Sequence, residues 1–296
     1  MKPALLALAF TRKRRGASPP VRNVALPGGL RRSASPEALA MLGNFRYAGR
    51  EMNTSESKTV LITGVSSGIG HGLARWYLEQ GWRVLGTSRR RPDDLASDAS
   101  FRFVNCDLRQ PESLPAAIKE LTGGQQHIDL VVLNAGVLGE FGDLCDAEID
   151  DLQNTMLVNV WANKAVLDWL FAGGMAVEQV VAISSGAAVN GNRGWSGYAI
   201  SKAALNMFVK LYAKEQPATH FCALAPGLVD TEIQERLRAL PLDERFESVA
   251  AIAAKHNTPD MPTPEAAAPK LAAAMERLSS LVESGEFVDV RKMPGV

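Results

Sequence analysis

From residue 59 to the C-terminus, short apolar runs alternate with amphipathic stretches. The runs, rich in Val, Ile and Leu, are typical of strands buried on both faces of a parallel sheet, and the stretches between them have helical periodicity. Strands are predicted at 59–63, 83–87, 101–105, 130–134, 180–184, 220–225 and 286–290, and helices at about 69–80, 111–121, 146–171, 198–214 and 264–282. This alternation predicts an α/β fold, a single domain with a doubly wound, mainly parallel seven-stranded sheet and helices on both faces.

Two segments depart from this pattern. Residues 1–57 contain basic clusters, prolines and glycines without sustained periodicity, and residues 1–50 hold ten basic side chains but one acidic one, Glu37. An Arg-rich, acid-poor leader is typical of a transit peptide. Because Met52 opens a natural start, we favour a disordered tail or an over-extended gene start for this leader, with the folded domain at 58–296. The charged interval 228–262, broken by prolines, is predicted to be an insertion over one sheet edge.

Composition narrows the classes of function. The 296 residues have a formal net charge of zero, and the acidic balance beyond the leader does not suit a nucleic-acid binder. Three separated cysteines and four histidines lack CxxC and HxxxH spacings, so we expect no disulfide framework, no metal and a reducing, cytoplasmic location. No apolar run approaches the roughly 18 residues that cross a bilayer. We therefore expect a small-molecule partner and neither nucleic acid nor membrane.

A glycine-rich turn follows the first predicted strand and opens a helix. Gly64 permits a tight turn, Gly68 lets backbone amides approach a pyrophosphate, and Gly70 permits close packing of helix on strand. The helix N-terminus offers unpaired N–H groups to phosphates. A glycine trio alone is a weak signal, but its place between strand and helix predicts dinucleotide binding by Gly64, Ser66, Ser67, Gly68, Ile69 and Gly70.

The end of the second predicted strand indicates which dinucleotide is bound. A carboxylate there would bind the ribose 2′-hydroxyl of NAD, but the chain has Ser88 and Arg89 instead. A hydroxyl and a guanidinium suit a 2′-phosphate. A solvated basic loop is the alternative, and we favour NADP(H) over NAD(H).

Tyr198 and Lys202 are spaced as neighbours on one helical face. A nearby ammonium is expected to lower the pKa of the tyrosine, which can then exchange a proton with an alcohol oxygen. Such pairs are common on helix surfaces, so the spacing alone is weak. However, Gly68, Asn134 and Ser185 all follow predicted strands, whose carboxyl ends form the ligand crevice of a doubly wound sheet.

Together these residues resemble the short-chain dehydrogenase/reductase superfamily, which has a Rossmann-like fold. The resemblance covers about 59–231, extends to about 290, and is closest to the sepiapterin reductase and benzil reductase group. It implies adenine contacts by Asp107 and Leu108, and a cofactor channel lined by Asn134, Ala135, Gly136, Pro226, Gly227, Val229 and Thr231. Ser67 departs from the basic residue that many NADP-dependent members carry there, so the NADP prediction depends on Ser88 and Arg89.

The resemblance also implies roles in hydride transfer to a carbonyl carbon. Tyr198 is the expected general acid, and Ser185 stabilises the substrate oxygen. Ser184 is the rival serine, but the thirteen-residue spacing to Tyr198 favours Ser185. Lys202 holds the nicotinamide ribose, and Asn159 positions a water that relays protons. Asn159 could instead be a buried residue capping a helix bend.

The substrate is predicted less directly. The resemblance places Asp289 where sepiapterin reductases anchor the pterin, although a solvated residue beside the last strand is the alternative. Trp195, Leu138 and Phe141 form an apolar wall or are plain packing. We expect an aromatic or vicinal diketone rather than a sugar.

Three other functions are possible on these residues, and the protein is expected to form an oligomer. A 3-oxoacyl carrier-protein reductase or an alcohol dehydrogenase would use the same residues, whereas an NADP-sensing regulator would not need the Tyr/Lys pair. The resemblance implies a homodimer or homotetramer formed by helices 146–171 and 198–214. Apolar residues beyond the needs of one sheet face support this, although they can also be core: Trp161, Leu167, Trp169, Phe208 and Tyr212.

Overall fold

Seven parallel strands form one sheet in the order β3-β2-β1-β4-β5-β6-β7, which confirms the predicted fold class. A computed structural model describes residues 57–241 and 243–295. The strands are β1 Thr59–Thr63, β2 Arg83–Ser88, β3 Phe101–Asn105, β4 His127–Leu133, β5 Ala176–Ile183, β6 His220–Ala225 and β7 Glu286–Asp289. The strand order reverses between β1 and β4, and the crevice at this switch point is where such sheets bind ligands.

The helices follow the strands as the periodicity predicts, with several short additions. They are α1 Gly68–Glu79, α2 Leu114–Thr122, α3 Ile149–Met156, α4 Ala162–Ala172, α5 Ala187–Asn190, α6 Ser196–Glu215, α7 Glu232–Arg238, α8 Glu247–Ala253 and α9 Pro264–Leu281. Short 3₁₀ turns lie at Pro111–Ser113, Leu144–Asp146, Glu244–Phe246 and Val290–Lys292. None of the helices among the described residues has the length and apolarity to cross a membrane.

The helical stretch predicted at about 146–171 is helical from Ile149 onward, but it is not regular throughout. A 3₁₀ turn comes first, α3 begins at Ile149, and a π-helical segment, Leu157–Trp161, separates α3 from α4. π segments inside helices often mark functional sites. This one contains buried Asn159, whose side chain bonds to the loop after β4.

The core has one layer on each face of the sheet. Alternate residues of β1 point to opposite faces. Val60 and Ile62 pack with α1 and α9, whereas Leu61 packs with α2, α4 and α6. Two buried faces explain why the strands are continuous apolar runs.

The interval 228–262 contains two short helices, α7 and α8, and it covers a cavity rather than a sheet edge alone. Leu237 and Val249 from these helices pack with Leu138, Trp195 and Tyr198 in a separate apolar cluster. We call residues 232–253 the cover. The predicted leader at 1–57 lies outside the described residues, apart from its last residue.

Candidate active site

A cavity of about 900 Å³ lies at the carboxyl ends of the strands. Its size is within the range of ligand pockets. The predicted residues that line it are Gly64, Ser66, Ser67, Gly68, Ile69, Ser88, Arg89, Asp107, Leu108, Asn134, Ala135, Gly136, Leu138, Ser185, Trp195, Tyr198, Lys202, Pro226, Gly227, Val229 and Thr231. Four predicted residues do not line it: Gly70, Phe141, Asn159 and Asp289.

The turn after β1 has the shape that a dinucleotide requires. Gly64 and Gly68 have φ of 77° and 60°, a region that favours glycine. A Cβ on Gly70 would lie 2.3 Å from the Gly64 carbonyl oxygen, so only glycine lets α1 pack this closely. The Ser67 side chain does not cap α1, and the first turn holds no acidic residue. The helix therefore presents open N–H groups to a phosphate at the cavity.

The loop after β2 contributes the cation Arg89, and the loop after β3 contributes the carboxylate Asp107. The Arg89 guanidinium has no carboxylate within 4.0 Å among the described residues. By contrast, Asp107 accepts a hydrogen bond of 2.6 Å from Arg109 Nη2, and this bond is the main cause that lowers the Asp107 pKa. Ser88 is buried, and its hydroxyl donates to the Arg90 carbonyl. Its oxygen remains able to accept.

Two asparagines hold the loop after β4 in place. Asn134 Nδ2 donates to the carbonyl oxygens of Thr63 at 2.9 Å and Gly64 at 3.2 Å, which ties the loop to the glycine turn. Asn159 Oδ1 accepts from Val137 N at 2.8 Å, and Asn159 Nδ2 donates to Val137 O at 2.9 Å. Asn159 is buried, as the alternative interpretation expects, but its side chain holds the loop after β4 rather than capping a helix.

Tyr198, Lys202 and Ser185 line the same cavity, and Lys202 Nζ lies 5.6 Å from the centroid of the Tyr198 ring. Burial raises the pKa of Tyr198, and a hydrogen bond with Ser185 partly opposes this shift. Burial lowers the pKa of Lys202 to about 8, and its Nζ donates to the Ile183 carbonyl at 2.7 Å. The expected lowering of the Tyr198 pKa is not found, because burial is the largest cause of the shift and acts in the opposite direction.

The predicted substrate residues fall into two groups. Trp195 lines the cavity. Phe141 packs edge-on against the Trp195 ring, with the ring centroids 5.6 Å apart. Asp289 does not reach the cavity, and its buried carboxylate accepts from Arg291 Nε at 2.9 Å and Nη2 at 2.6 Å. The Asp289 carboxylate is thus committed to Arg291, which lines the cavity in its place.

Several cavity residues were missed by the sequence reasoning. The cover supplies Arg236, Arg245 and Ser248, and Lys255 lines the cavity just after the cover ends. Trp195 Nε1 donates to Ser248 Oγ at 2.9 Å. Nothing in the local pattern of 228–262 marks these side chains, because their place depends on how the cover folds back. The position of Arg291, two residues after Asp289, was the one available signal.

The glycine turn, the open helix terminus and the buried Tyr/Lys/Ser group define a dinucleotide-binding oxidoreductase of the doubly wound α/β class. The family model for short chain dehydrogenase matches residues 58–241. The chain belongs to this family, which confirms the resemblance and the expectation of an enzyme.

Relatives and solved structures agree with this placement. Benzil reductase ((S)-benzoin forming) of Bacillus subtilis is 27% identical over 78% of this chain and 98% of its own length. The 3-oxoacyl-[acyl-carrier-protein] reductase of Vibrio cholerae is 30% identical over 67% of this chain and 83% of its own. A short-chain dehydrogenase/reductase structure from Saccharomyces cerevisiae has a TM-score of 0.69 at 23% identity, covering 80% of this chain and 97% of that one. This last likeness supports the fold alone.

Proposed function

We propose that the protein is an NADPH-dependent carbonyl reductase that acts on a ketone or diketone. The observation that carries this proposal is the placement of Tyr198, Lys202 and Ser185 in one cavity with the glycine turn. When bound, the nicotinamide supplies the hydride for the carbonyl carbon. The open N–H groups of α1 and the glycine turn would hold the pyrophosphate of this cofactor.

The residues have separate tasks in this proposal. Because the pKa of Tyr198 is raised, its phenol is protonated near neutral pH and can donate a proton to the substrate oxygen. Ser185 hydrogen-bonds the same oxygen as negative charge develops there. Lys202 binds the ribose, and Asn159 holds the loop beside a proton-relay water.

Ser88 and Arg89 support the preference for NADP(H) over NAD(H). Arg89 lines the cavity and lacks a carboxylate partner among the described residues, so its N–H groups are open to a 2′-phosphate. Arg89→Gln should weaken NADPH binding about tenfold or more while changing NADH binding little. Fluorescence titration measures both, and an equal loss for the two nucleotides would contradict the assignment.

An aromatic or vicinal diketone is the substrate class we favour. The apolar cluster of Trp195, Leu138 and the cover gives the cavity a wall suited to an aromatic group. The name of the Bacillus subtilis relative refers to benzil, which is such a diketone. The Vibrio cholerae relative keeps a 3-oxoacyl carrier-protein reductase as the second candidate, for which Arg236 and Lys255 at the cavity would be the cationic contacts.

Purified protein can be tested with NADPH or NADH against diketones, quinones, pterins and 3-oxoacyl thioesters, following the loss of nucleotide absorbance. Reduction of diketones by NADPH is expected. Tyr198→Phe should lower turnover by about 10²- to 10⁴-fold while NADPH still binds. If neither nucleotide is oxidised with any compound, the proposal fails in favour of an NADP-sensing regulator.

We also propose a homodimer or homotetramer through α3, α4 and α6. Exposed apolar side chains along these elements include Ile149, Trp161, Ile200, Met207 and Leu211, with Trp161 50% exposed. Leu167, Phe208 and Tyr212 are instead buried core. Light scattering of the wild type and Trp161→Lys tests the assembly, and a monomeric wild type would overturn it.

A further inference from the structure

The Arg291 side chain lines the cavity and is 56% exposed, and it has no role in the chemistry described so far. Its guanidinium lies beside the residue after Ser185, since a Cβ built on Gly186 would be 3.6 Å from Arg291 Nη2. Its aliphatic part lies beside Gly227, whose Cβ would be 3.5 Å from Arg291 Cδ. Arg291 therefore lies between two loops that border the proposed reaction centre.

Asp289 fixes the orientation of this guanidinium. The carboxylate, of which 7% is exposed, accepts from Nε at 2.9 Å and from Nη2 at 2.6 Å. It also accepts from the Arg291 backbone N at 3.0 Å, so the pair is held at both the side chain and the main chain. Arginine offers five N–H donors, and this contact uses one edge of the fork. Among the described residues, the other edge has no acceptor.

The ion pair with Asp289 also affects which kind of acceptor suits the unpaired N–H groups of Arg291. Asp289 offsets the charge of Arg291, which leaves directed N–H donors with little net charge. Two other cavity cations are similarly offset, because Arg193 and Arg245 both bond to Asp143 and Arg245 also bonds to Asp243. A neutral oxygen close to the reacting ketone fits such a donor edge better than a distant charged group does.

Resting on the proposed function, we propose that Arg291 is a specificity residue that binds the second oxygen of a 1,2-dicarbonyl substrate. The oxygen of the reacting ketone meets Tyr198 and Ser185, and the adjacent carbonyl oxygen accepts from the open edge of Arg291. The substrate class is thus vicinal diketones, with 2-oxo acids as the charged members. Asp289 is a positioning residue that acts through Arg291.

The test compares two activated aryl ketones that differ in the second oxygen. 1-Phenyl-1,2-propanedione carries the adjacent carbonyl, whereas 2,2,2-trifluoroacetophenone is electrophilic but lacks it. The ratio of their kcat/KM values should fall about tenfold in Arg291→Met, because one hydrogen bond to the second oxygen is lost. Arg291→Lys, which keeps a donor, should recover part of the ratio. Phenylglyoxylate, assayed alongside, shows whether a carboxylate is accepted at the same position.

Two control variants separate recognition from structural damage. Lys292→Gln removes a neighbouring exposed cation that does not line the cavity, and it should leave the ratio unchanged. A purely structural role for Arg291 would lower both kcat/KM values together and leave the ratio constant. Arg291→Met leaves the buried Asp289 carboxylate without its partner and could fail to fold for that reason. In that case the double variant Asp289→Asn/Arg291→Gln removes both charges, and the same ratio of kcat/KM values is measured on it.

An unchanged ratio in a folded Arg291 variant would overturn the inference, as would an equal fall in Arg236→Gln. If the wild type reduces neither ketone, the proposed function fails separately. The inference is then decided by binding of the dione to the protein–NADPH complex, measured by quenching of tryptophan fluorescence. Weaker binding to Arg291→Met than to the wild type supports it, and equal binding refutes it.

Discussion

The buried ammonium of Lys202 gives a quantitative test of the site without substrate. Lys202 is 4% exposed, and burial lowers its pKa from 10.5 to about 8. In the unfolded chain the lysine regains its ordinary pKa, so between these two values the unfolded state binds more protons. The free energy of unfolding must then rise with pH in this window. The full shift corresponds to about 3 kcal/mol of destabilisation, present below a pH of about 8.

Lys202→Met removes this titration and keeps a side chain of similar length. The free energy of unfolding of the wild type, minus that of the variant, should increase by about 2 kcal/mol between pH of about 7 and about 9.5. Urea denaturation of the cofactor-free proteins measures it at each pH. The lost hydrogen bond to Ile183 adds an offset that does not vary with pH.

Lys210→Met is the matched control, because Lys210 is an exposed lysine on the same helix. Its difference from the wild type should stay constant over the same range. A flat difference for Lys202→Met as well would refute the reasoning, since it would mean that water solvates the Lys202 ammonium in the folded protein.

Two further substitutions probe the frame of the site. Gly70→Ala places a Cβ 2.3 Å from the Gly64 carbonyl oxygen, so the affinity for NADPH should fall about tenfold and the free energy of unfolding by about 1–3 kcal/mol. Gly142→Ala is the control, because a Cβ at Gly142 has nothing within 4 Å. If Gly70→Ala binds NADPH as tightly as the wild type, the reasoning is wrong. Asn159→Ala leaves the buried partners at Val137 unsatisfied and should cost about 3 kcal/mol in urea denaturation. Asn154 is exposed, so Asn154→Ala should change the free energy of unfolding little. If both variants lose the same stability, Asn159 does not hold the loop as described.

The elements nearest to the chemistry were predictable because their signals are local. A buried parallel strand is a continuous apolar run, and a turn that must accept positive φ uses glycine, as at Gly64 and Gly68. The spacing of Tyr198 and Lys202 places both on one face of α6 whatever surrounds the helix. For these features, the residues within one or two turns of chain contain the information.

Other features depend on which groups come together from distant parts of the chain. The direction of the Tyr198 pKa shift results from burial beneath Leu237 and Val249 of the cover, which lie far along the sequence. The break in the 146–171 helix accompanies bonds from Asn159 to Val137 across two elements.

The sequence by itself determined the doubly wound sheet, the glycine-rich turn and the placement of Tyr198 and Lys202 on one helical face, because periodicity and backbone sterics act over a few residues. Only the tertiary structure decided that Asp289 faces Arg291 rather than the cavity, and that the interval 228–262 covers the site. Desolvation and ion pairing depend on the whole surroundings of a group, and those surroundings exist only once the chain has folded.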